Sequence, residues 1–318
     1  MKDTIRHYAP VAWLLAGITA AGVLLTVLLG VGQPGMQERT VVTTTYPLYV
    51  AAQQLTAGVE GVRVENLTGS ATGCLHDYQL SPANRITLEN ASLVLMNGAG
   101  AEPFLADVLP TLTAPVTDTS AGIDLLPGGE HDHGEEDHDG HDGHDHTYNE
   151  HIWVSPSRYA RQVTAAEEAL CAVDPENAAL YRQNAEVYCT RIGAVEQRLQ
   201  AAANKLGNRR CVLFHESLAY LAEDLGFTVA VSLSAGEEGG VSAGDLAAAE
   251  TAVKQDPAVL VLYDDQYTVR YPSVDGLVPA AQVLALDTGV KGAGSADDWL
   301  RSMERTAQAL ERCGEGLS

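Results

Sequence analysis

Short apolar runs alternate with longer stretches of helical periodicity, and this rhythm occurs twice along the chain. The first set predicts strands at 41–45, 62–67, 92–96 and 115–117 and helices at 46–57, 81–90 and 102–109. The second set predicts strands at 211–214, 228–232, 259–263 and 282–286 and helices at 215–225, 242–255 and 296–313. Strands that alternate with helices are typical of parallel sheets. The sequence therefore predicts an α/β protein of two lobes, each a mostly parallel sheet flanked by helices, and 318 residues are enough for both.

A long helical segment lies between the two sets. A helix is predicted at 156–173, and Asp174-Pro175-Glu176 after it is typical of a cap with proline at the first helical position. Apolar residues at helical spacing then predict a helix over 175–206, roughly 45 Å long. We expect this helix to be a rigid connection between the lobes, and the alternative is an ordinary packed helix.

The N-terminal segment predicts that the protein is attached to the cell membrane. Residues 11–31 carry no charge and are enough to cross a bilayer as a helix. Lys2 and Arg6 precede them, which predicts a cytoplasmic N-terminus with the bulk of the chain outside the cell membrane. We expect an uncleaved transmembrane anchor, and cleavage near Gly30 and Gly32 is the alternative. No cysteine precedes Cys74, which excludes a lipid-modified cysteine at the membrane boundary.

These features predict four regions. They are a cytoplasmic stub with the anchor or signal peptide at 1–37, a first lobe at 38–173, a linker helix at 174–206 and a second lobe at 207–318. Disulfides are possible outside the cell, but the spacing of the five cysteines does not fix any pairing.

The formal net charge of −23 gives no basic footprint and argues against nucleic-acid binding. An acidic surface suits metal cations, and it also simply aids solubility.

The ten histidines are distributed unevenly. His7 precedes the apolar segment, six lie in one tract, and His76, His151 and His215 stand apart. His76 and His151 each come shortly before a Ser-Pro pair, a typical helix start, and His215 follows a predicted strand. Such places line the ligand crevice of open α/β sheets. An isolated histidine is more often structural, but three in equivalent places favour metal ligation.

Four-coordinate zinc needs one more donor beside three imidazoles. Asp287 ends a predicted strand and should point into the same crevice, and Asp264 and Asp265 are its rivals at the end of another strand. Three imidazoles and one carboxylate favour Zn²⁺ over Mn²⁺, which prefers more oxygen donors.

The histidine tract spans residues 130–146 and has no apolar residue, so it cannot pack into a core. Its imidazoles and carboxylates predict an auxiliary loop that binds zinc weakly, and a solvated acidic linker is the alternative. The imidazoles are those of His131, His133, His138, His141, His144 and His146.

The sequence favours no enzyme. His215-Glu216 begins like HExxH, but Ala219 stands where the second histidine is needed. A zinc hydrolase is the weakest alternative, because its general base would have to be Glu150, Glu216 or a spare aspartate.

Five strings carry a family resemblance that covers roughly residues 40–313: GCLHDYQLSP at 73–82, NEHIWVSP at 149–156, DPEN at 174–177, FHESLAYL at 214–221 and LDT at 286–288. Through these strings the chain resembles the zinc and manganese solute-binding proteins of ATP-binding-cassette importers. Position 215 and the histidine tract resemble the zinc branch. Glu150 stands where the family's usual D-P-H-x-W string has proline.

The resemblance implies a metal held between the lobes by two ligands from each, His76 and His151 from the first and His215 and Asp287 from the second. It implies delivery of Zn²⁺ by a monomer to a permease and its ATPase subunit, with no catalysis. A surface zinc buffer or adhesin is the alternative function.

Overall fold

A computed structural model describes residues 38–69, 75, 78–128, 148–207, 209–233, 242–265 and 282–316. Four parallel strands form the first sheet, in the order β2-β1-β3-β4. Most residues of the central strands are buried, as expected for a parallel sheet covered by helices. The strands are β1 (Arg39–Thr43), β2 (Val62–Asn66), β3 (Leu93–Met96) and β4 (Val116–Asp118).

The helices of the first lobe begin where the sequence predicts. They are α1 (Tyr46–Leu55), α2 (Pro82–Glu89) and α3 (Pro156–Val173). Ser81 and Ser155 each accept a backbone N–H of the first turn, and proline follows each of them. The two Ser-Pro pairs are therefore N-caps, because the serine hydroxyl satisfies an N–H that the helix leaves unpaired.

The helix predicted at 102–109 is wrong. The chain forms two short 3₁₀ turns there, Pro103–Leu105 and Leu109–Thr111. Pro110 lies inside the second turn and has no backbone N–H, so it cannot donate the hydrogen bond that a helix continuing past Leu109 would need.

The long helix lies inside the predicted range but begins later. It is α4 (Ala178–Ala203), 26 residues or about 39 Å long. Its N-cap is Asn177 rather than Asp174. Asp174 instead accepts hydrogen bonds from Asn177 and from the Tyr181 hydroxyl, which keeps Pro175 in the turn before the helix.

The second sheet repeats the topology of the first, with four parallel strands in the order β6-β5-β7-β8. The strands are β5 (Arg210–Leu213), β6 (Thr228–Ser232), β7 (Leu260–Asp264) and β8 (Val283–Leu286). The helices are α5 (Ala219–Asp224), α6 (Ala243–Gln255) and α7 (Asp298–Gly316). The prediction of two α/β lobes with parallel sheets is confirmed.

The helices between the sheets share one apolar core, and both sheets belong to the unit that starts at Arg39. α4 packs against α1 and α3 of the first lobe and against α7 of the second. The ring of Tyr159 on α3 stacks on Trp299 of α7, with centroids 4.2 Å apart. The lobes therefore meet through large buried side chains rather than through α4 alone.

Two expectations fall partly outside the described residues. The predicted anchor at 11–31 lies there entirely, and none of the helices that the structure does describe is long and apolar enough for a membrane span. No disulfide joins the described cysteines, Cys171, Cys189, Cys211 and Cys313.

Candidate metal centre

His151 is buried on the turn that leads into α3, and Asn149 sets the orientation of its ring. The Asn149 side chain donates from Nδ2 to the Glu216 carbonyl oxygen at 2.8 Å, so its Oδ1 faces the imidazole. That oxygen lies 3.0 Å from His151 Nδ1 and accepts the His151 backbone N–H at 2.9 Å. Because an amide oxygen only accepts, Nδ1 carries the proton in neutral His151 and Nε2 keeps the lone pair that a metal needs.

His215 follows β5 and caps the turn that leads into α5. Its Nδ1 accepts the Ser217 backbone N–H at 3.0 Å. The rings of His151 and His215 have centroids 5.2 Å apart and are almost perpendicular. Two of the three predicted imidazoles, one from each lobe, are thus brought together.

The carboxylates of Glu150 and Glu216 lie beside these rings. The sequence suggests them only as the general base of a zinc hydrolase. Glu150, His151 and Glu216 each present one potential ligand atom, and the three atoms lie within 4.8 Å of one another. Across the described part of the chain, no other group of three histidine, cysteine or carboxylate side chains is this compact. Their position in the sequence, each next to a predicted histidine ligand, is the signal that could have indicated them.

Asp287 follows β8, as predicted, but its carboxylate faces Arg305 of α7. Its Oδ2 accepts Nε of Arg305 at 2.8 Å and is bonded to Nη2 as well. Its Oδ1 accepts the Gly289 backbone N–H at 2.9 Å. The Asp287 charge is therefore compensated by a guanidinium, and Asp287 is outside the compact group.

The two rival aspartates have different surroundings. Asp264 is buried at the end of β7, where its Oδ2 accepts the hydroxyls of Thr288 at 2.7 Å and Ser217 at 3.4 Å. Asp265 is exposed overall. Partial desolvation of its carboxylate, and then the charge of Asp287, raise the pKa of Asp265, while Arg305 lowers it. Asp264 holds the loops that carry His215 and Asp287, and neither rival joins the compact group.

Hydrogen bonds join the two loops of the site across the lobes. The Tyr220 hydroxyl donates to the Asn149 carbonyl oxygen at 2.7 Å and accepts the Leu126 N–H at 3.0 Å. Burial raises the pKa of Tyr220, which keeps its hydroxyl protonated as the donor. Arg158 of α3 pairs with Asp224 at 3.0 Å and with Glu223. The loop that holds His151 is therefore fixed to the start of α5.

His76 and the six histidines of the tract at 130–146 lie outside the described residues. Their assignment as ligands remains a prediction from the sequence.

The comparisons with known proteins agree on one family. Residues 41–313 match the family described as "Zinc-uptake complex component A periplasmic". The chain is 27% identical over 283 residues to the zinc-binding lipoprotein AdcA of Streptococcus pneumoniae. The alignment covers 86% of this chain but only 52%, about half, of that relative's length. It is 28% identical over 329 residues to the high-affinity zinc uptake system protein ZnuA of Paracoccus denitrificans, and this alignment covers 93% of this chain and 98% of that relative.

A solved structure gives the same fold. The solute-binding protein FpvC of Pseudomonas aeruginosa, in complex with Mn²⁺, superposes with a TM-score of 0.72 at 19% identity, over 88% of this chain and 100% of that one. At this identity the likeness establishes the fold alone. Together with the match over most of the chain, it confirms the resemblance drawn from the sequence, and the chain belongs to the periplasmic component A family of zinc-uptake complexes.

Proposed function

We propose that this chain binds Zn²⁺ between its two lobes and delivers it to the permease of an ATP-binding-cassette importer. The observation that carries the proposal is that His151 of the first lobe and His215 of the second lie close together, with ring centroids 5.2 Å apart. A cation bound by ligands from both lobes favours the arrangement in which the lobes are together, through its differential affinity for that arrangement. The permease would recognise this metal-loaded arrangement.

Zinc is the proposed cargo because neutral imidazoles are good zinc ligands. The zinc-binding relatives AdcA and ZnuA support this choice. Mn²⁺, which FpvC holds, is the second candidate, and it prefers sites with more oxygen donors. The proposed nitrogen donors are His76, His151 and His215, and the fourth donor is a carboxylate, for which the sequence predicts Asp287.

The histidine tract at 130–146 would collect zinc near this site. A flexible chain loses conformational entropy when it surrounds a metal, so its affinity is lower than that of ligands held by a folded lobe. Six imidazoles and many carboxylates compensate by number. The tract should release zinc below about pH 6.5, where free imidazoles become protonated.

The proposed location is outside the cytoplasm, with the segment 11–31 as the attachment to the cell membrane. The family's periplasmic description and the lipoprotein relative support an extracytoplasmic, membrane-associated protein. The expected partners are the permease and its ATPase subunit. The chain would act as a monomer whose two lobes are joined by the rigid helix α4. Capture and delivery need no catalysis.

Zinc titration of the chain without residues 130–146, purified without a histidine-affinity step, tests the proposal. We expect one tight zinc per chain. His151→Ala and His215→Ala should each weaken binding by orders of magnitude, because each removes a nitrogen donor. Tight stoichiometric zinc in the double variant would overturn the proposal.

A further inference from the structure

The turn after β3 has an unusual backbone. The φ angles of Gly98, Ala99 and Gly100 are +79°, +55° and +86°. Among the residues that the structure describes, Ala99 alone has a positive φ without being glycine. This left-handed conformation is unfavourable for a residue with a Cβ, so the surrounding structure must hold the turn in place. Backbone of this kind is found mainly where function needs a fixed geometry.

Glu102 holds this turn from the inside. It is 5% exposed, and its Oε1 accepts the Asn97 backbone N–H at 2.7 Å while Oε2 accepts the Gly98 N–H at 3.1 Å. Oε1 also accepts the hydroxyl of Thr44, which follows β1, at 2.5 Å. One buried carboxylate therefore joins the start of the turn to the ends of the two central strands, β1 and β3.

Asn97 connects the turn to the loop of His151. Asn97 is fully buried, and its Nδ2 donates to the Glu150 carbonyl oxygen at 2.9 Å. Its Oδ1 accepts Nε2 of Gln162 on α3 at 3.1 Å. The Glu150 carbonyl oxygen also accepts the Ile152 N–H at 2.8 Å. The backbone on both sides of His151 is thus bound at one oxygen, and Asn97 fixes the position of that oxygen.

Asn149 and Asn97 act on different parts of His151. Asn149 orients the imidazole ring, whereas Asn97 fixes the backbone that carries the ring. A metal donor has to be held within about 0.5 Å of its productive position. A shift of this backbone would therefore misplace Nε2 of His151 even if Asn149 kept the ring oriented.

We propose that Glu102 is a positioning residue of the metal site, which acts through Asn97 on the backbone of His151. The carboxylate holds the left-handed turn, the turn presents Nδ2 of Asn97, and Nδ2 holds the Glu150 carbonyl oxygen. The inference rests on the proposed function, because it concerns the position of a ligand of the same site.

Competition with a chromophoric zinc chelator tests this role on the full chain, with less than one zinc per chain so that the tight site fills first. The assay is run at about pH 8, where Glu102 is ionised, because burial raises its pKa to about 7. Glu102→Gln keeps the size of the side chain but turns one acceptor into a donor that faces a backbone N–H. We expect zinc affinity to fall ~10–100-fold, as for loss of an outer partner of a ligand.

Asp174→Asn is the matched control. Asp174 is also a buried carboxylate and accepts the Tyr181 hydroxyl at 2.7 Å, but it lies at the opposite end of α3 from His151. This variant should lose stability and bind zinc as the unchanged chain does. If Glu102→Gln behaves in the same way, Glu102 only stabilises the first lobe, and the inference is overturned.

A double-mutant cycle separates positioning from general destabilisation. Asn97→Ala removes the bond to the Glu150 carbonyl oxygen but leaves the Asn97 N–H for Glu102. If Glu102 acts through Asn97, Glu102→Gln should weaken zinc binding little further in the Asn97→Ala background. Losses that multiply in the double variant would overturn the inference.

Thr44→Val serves if Glu102→Gln does not fold, because it removes one donor to Glu102 and keeps the shape of the side chain. We expect a smaller loss of zinc affinity, which disappears in the Asn97→Ala background, and an equal loss in both backgrounds would overturn the inference. These outcomes concern Glu102 alone. If the unchanged chain itself binds no tight zinc, the proposed function falls, and the inference with it.

Discussion

The indole N–H of Trp153 donates to the carbonyl oxygen of Thr288 at 3.1 Å. Trp153 lies two residues after His151 in the first lobe, and Thr288 directly follows Asp287 in the second. Thr288 also donates its hydroxyl to Asp264. This hydrogen bond joins the His151 loop of the first lobe to the loop after β8 in the second lobe. The relative position of the lobes and the geometry of the site therefore depend on each other.

Removal of the Trp153 bond should therefore affect both stability and zinc affinity. Trp153→Phe leaves the buried Thr288 carbonyl oxygen without this donor, and we expect the free energy of unfolding to fall by about 1–3 kcal/mol. Zinc affinity should fall as well. Chemical denaturation and zinc titration measure the two effects.

Tyr159→Phe is the control for Trp153→Phe, because it removes buried hydrogen bonds of the Tyr159 hydroxyl, to the Pro47 carbonyl oxygen and the Tyr188 hydroxyl, away from the proposed ligands and keeps the ring that stacks on Trp299. It should cost stability and leave zinc affinity almost unchanged. Equal zinc affinities in the two variants would show that the Trp153 bond does not couple the lobes to the site.

Asn149 should matter for zinc although it is not a proposed ligand. Asn149→Ala removes the oxygen that holds His151 Nδ1 and the bond to Glu216, so we expect zinc affinity to fall ~10–100-fold. Asn184→Ala is the matched control, because Asn184 bonds to the carbonyl oxygens of Leu55 and Ala57 at the end of α1. If both variants bind zinc equally, the proposed orientation of His151 by Asn149 is wrong.

Zinc binding should break the bond from the Ser217 N–H to His215 Nδ1. A metal at Nδ1 would take the lone pair that accepts this N–H, and a metal at Nε2 would leave the neutral ring with its proton on Nδ1. In ¹⁵N–¹H spectra we expect the Ser217 amide resonance to move on zinc addition, while that of Thr56, bonded to the Ala52 carbonyl oxygen, stays in place. A Ser217 resonance unaffected by saturating zinc would contradict ligation by His215.

Glu102 should make the stability of the first lobe depend on pH. Burial raises the pKa of Glu102 to about 7 from 4.5, against the hydrogen bonds that its carboxylate accepts from Thr44, Asn97 and Gly98. Because its pKa is higher in the folded chain, the folded state binds more protons between these values, and stability falls as pH rises from about 4.5 to about 7. Denaturation at several pH values, compared with Glu102→Gln, measures this contribution.

The expected result is that the unchanged chain loses stability relative to Glu102→Gln across that window. Glu168→Gln, with its exposed side chain, should follow the unchanged chain. A relative gain in stability with rising pH would mean that the three hydrogen bonds outweigh the burial of Glu102.

Local signals explain how much of the fold was predictable. The strands of both sheets and the Ser-Pro helix starts depend on apolar runs and caps within a few residues, and these predictions hold to within about two residues. The helix predicted at 102–109 is wrong: the segment forms two short 3₁₀ turns, and Pro110 restricts only the second. Likewise, Asp174 was expected to cap α4, but it bonds to the Tyr181 hydroxyl, a contact that the cap signal does not contain.

The site was predictable where histidine placement carried the signal, and less so where distant residues decide. His151 precedes α3 in the first lobe, His215 follows β5 in the second, and their rings come within 5.2 Å of each other. The pairing of Asp287 with Arg305 depends on how α7 packs beside β8, which no local pattern specifies. The approach of Glu150 to Glu216 likewise depends on the contact between lobes.

Anomalous diffraction at the zinc absorption edge, from crystals of the zinc-loaded chain without residues 130–146, tests the central claim most directly. We predict one strong anomalous peak between the His151 and His215 rings, about 2.0–2.1 Å from a nitrogen of each. A zinc peak bound by only one lobe, or no ordered zinc near these rings at saturating metal, would contradict the account.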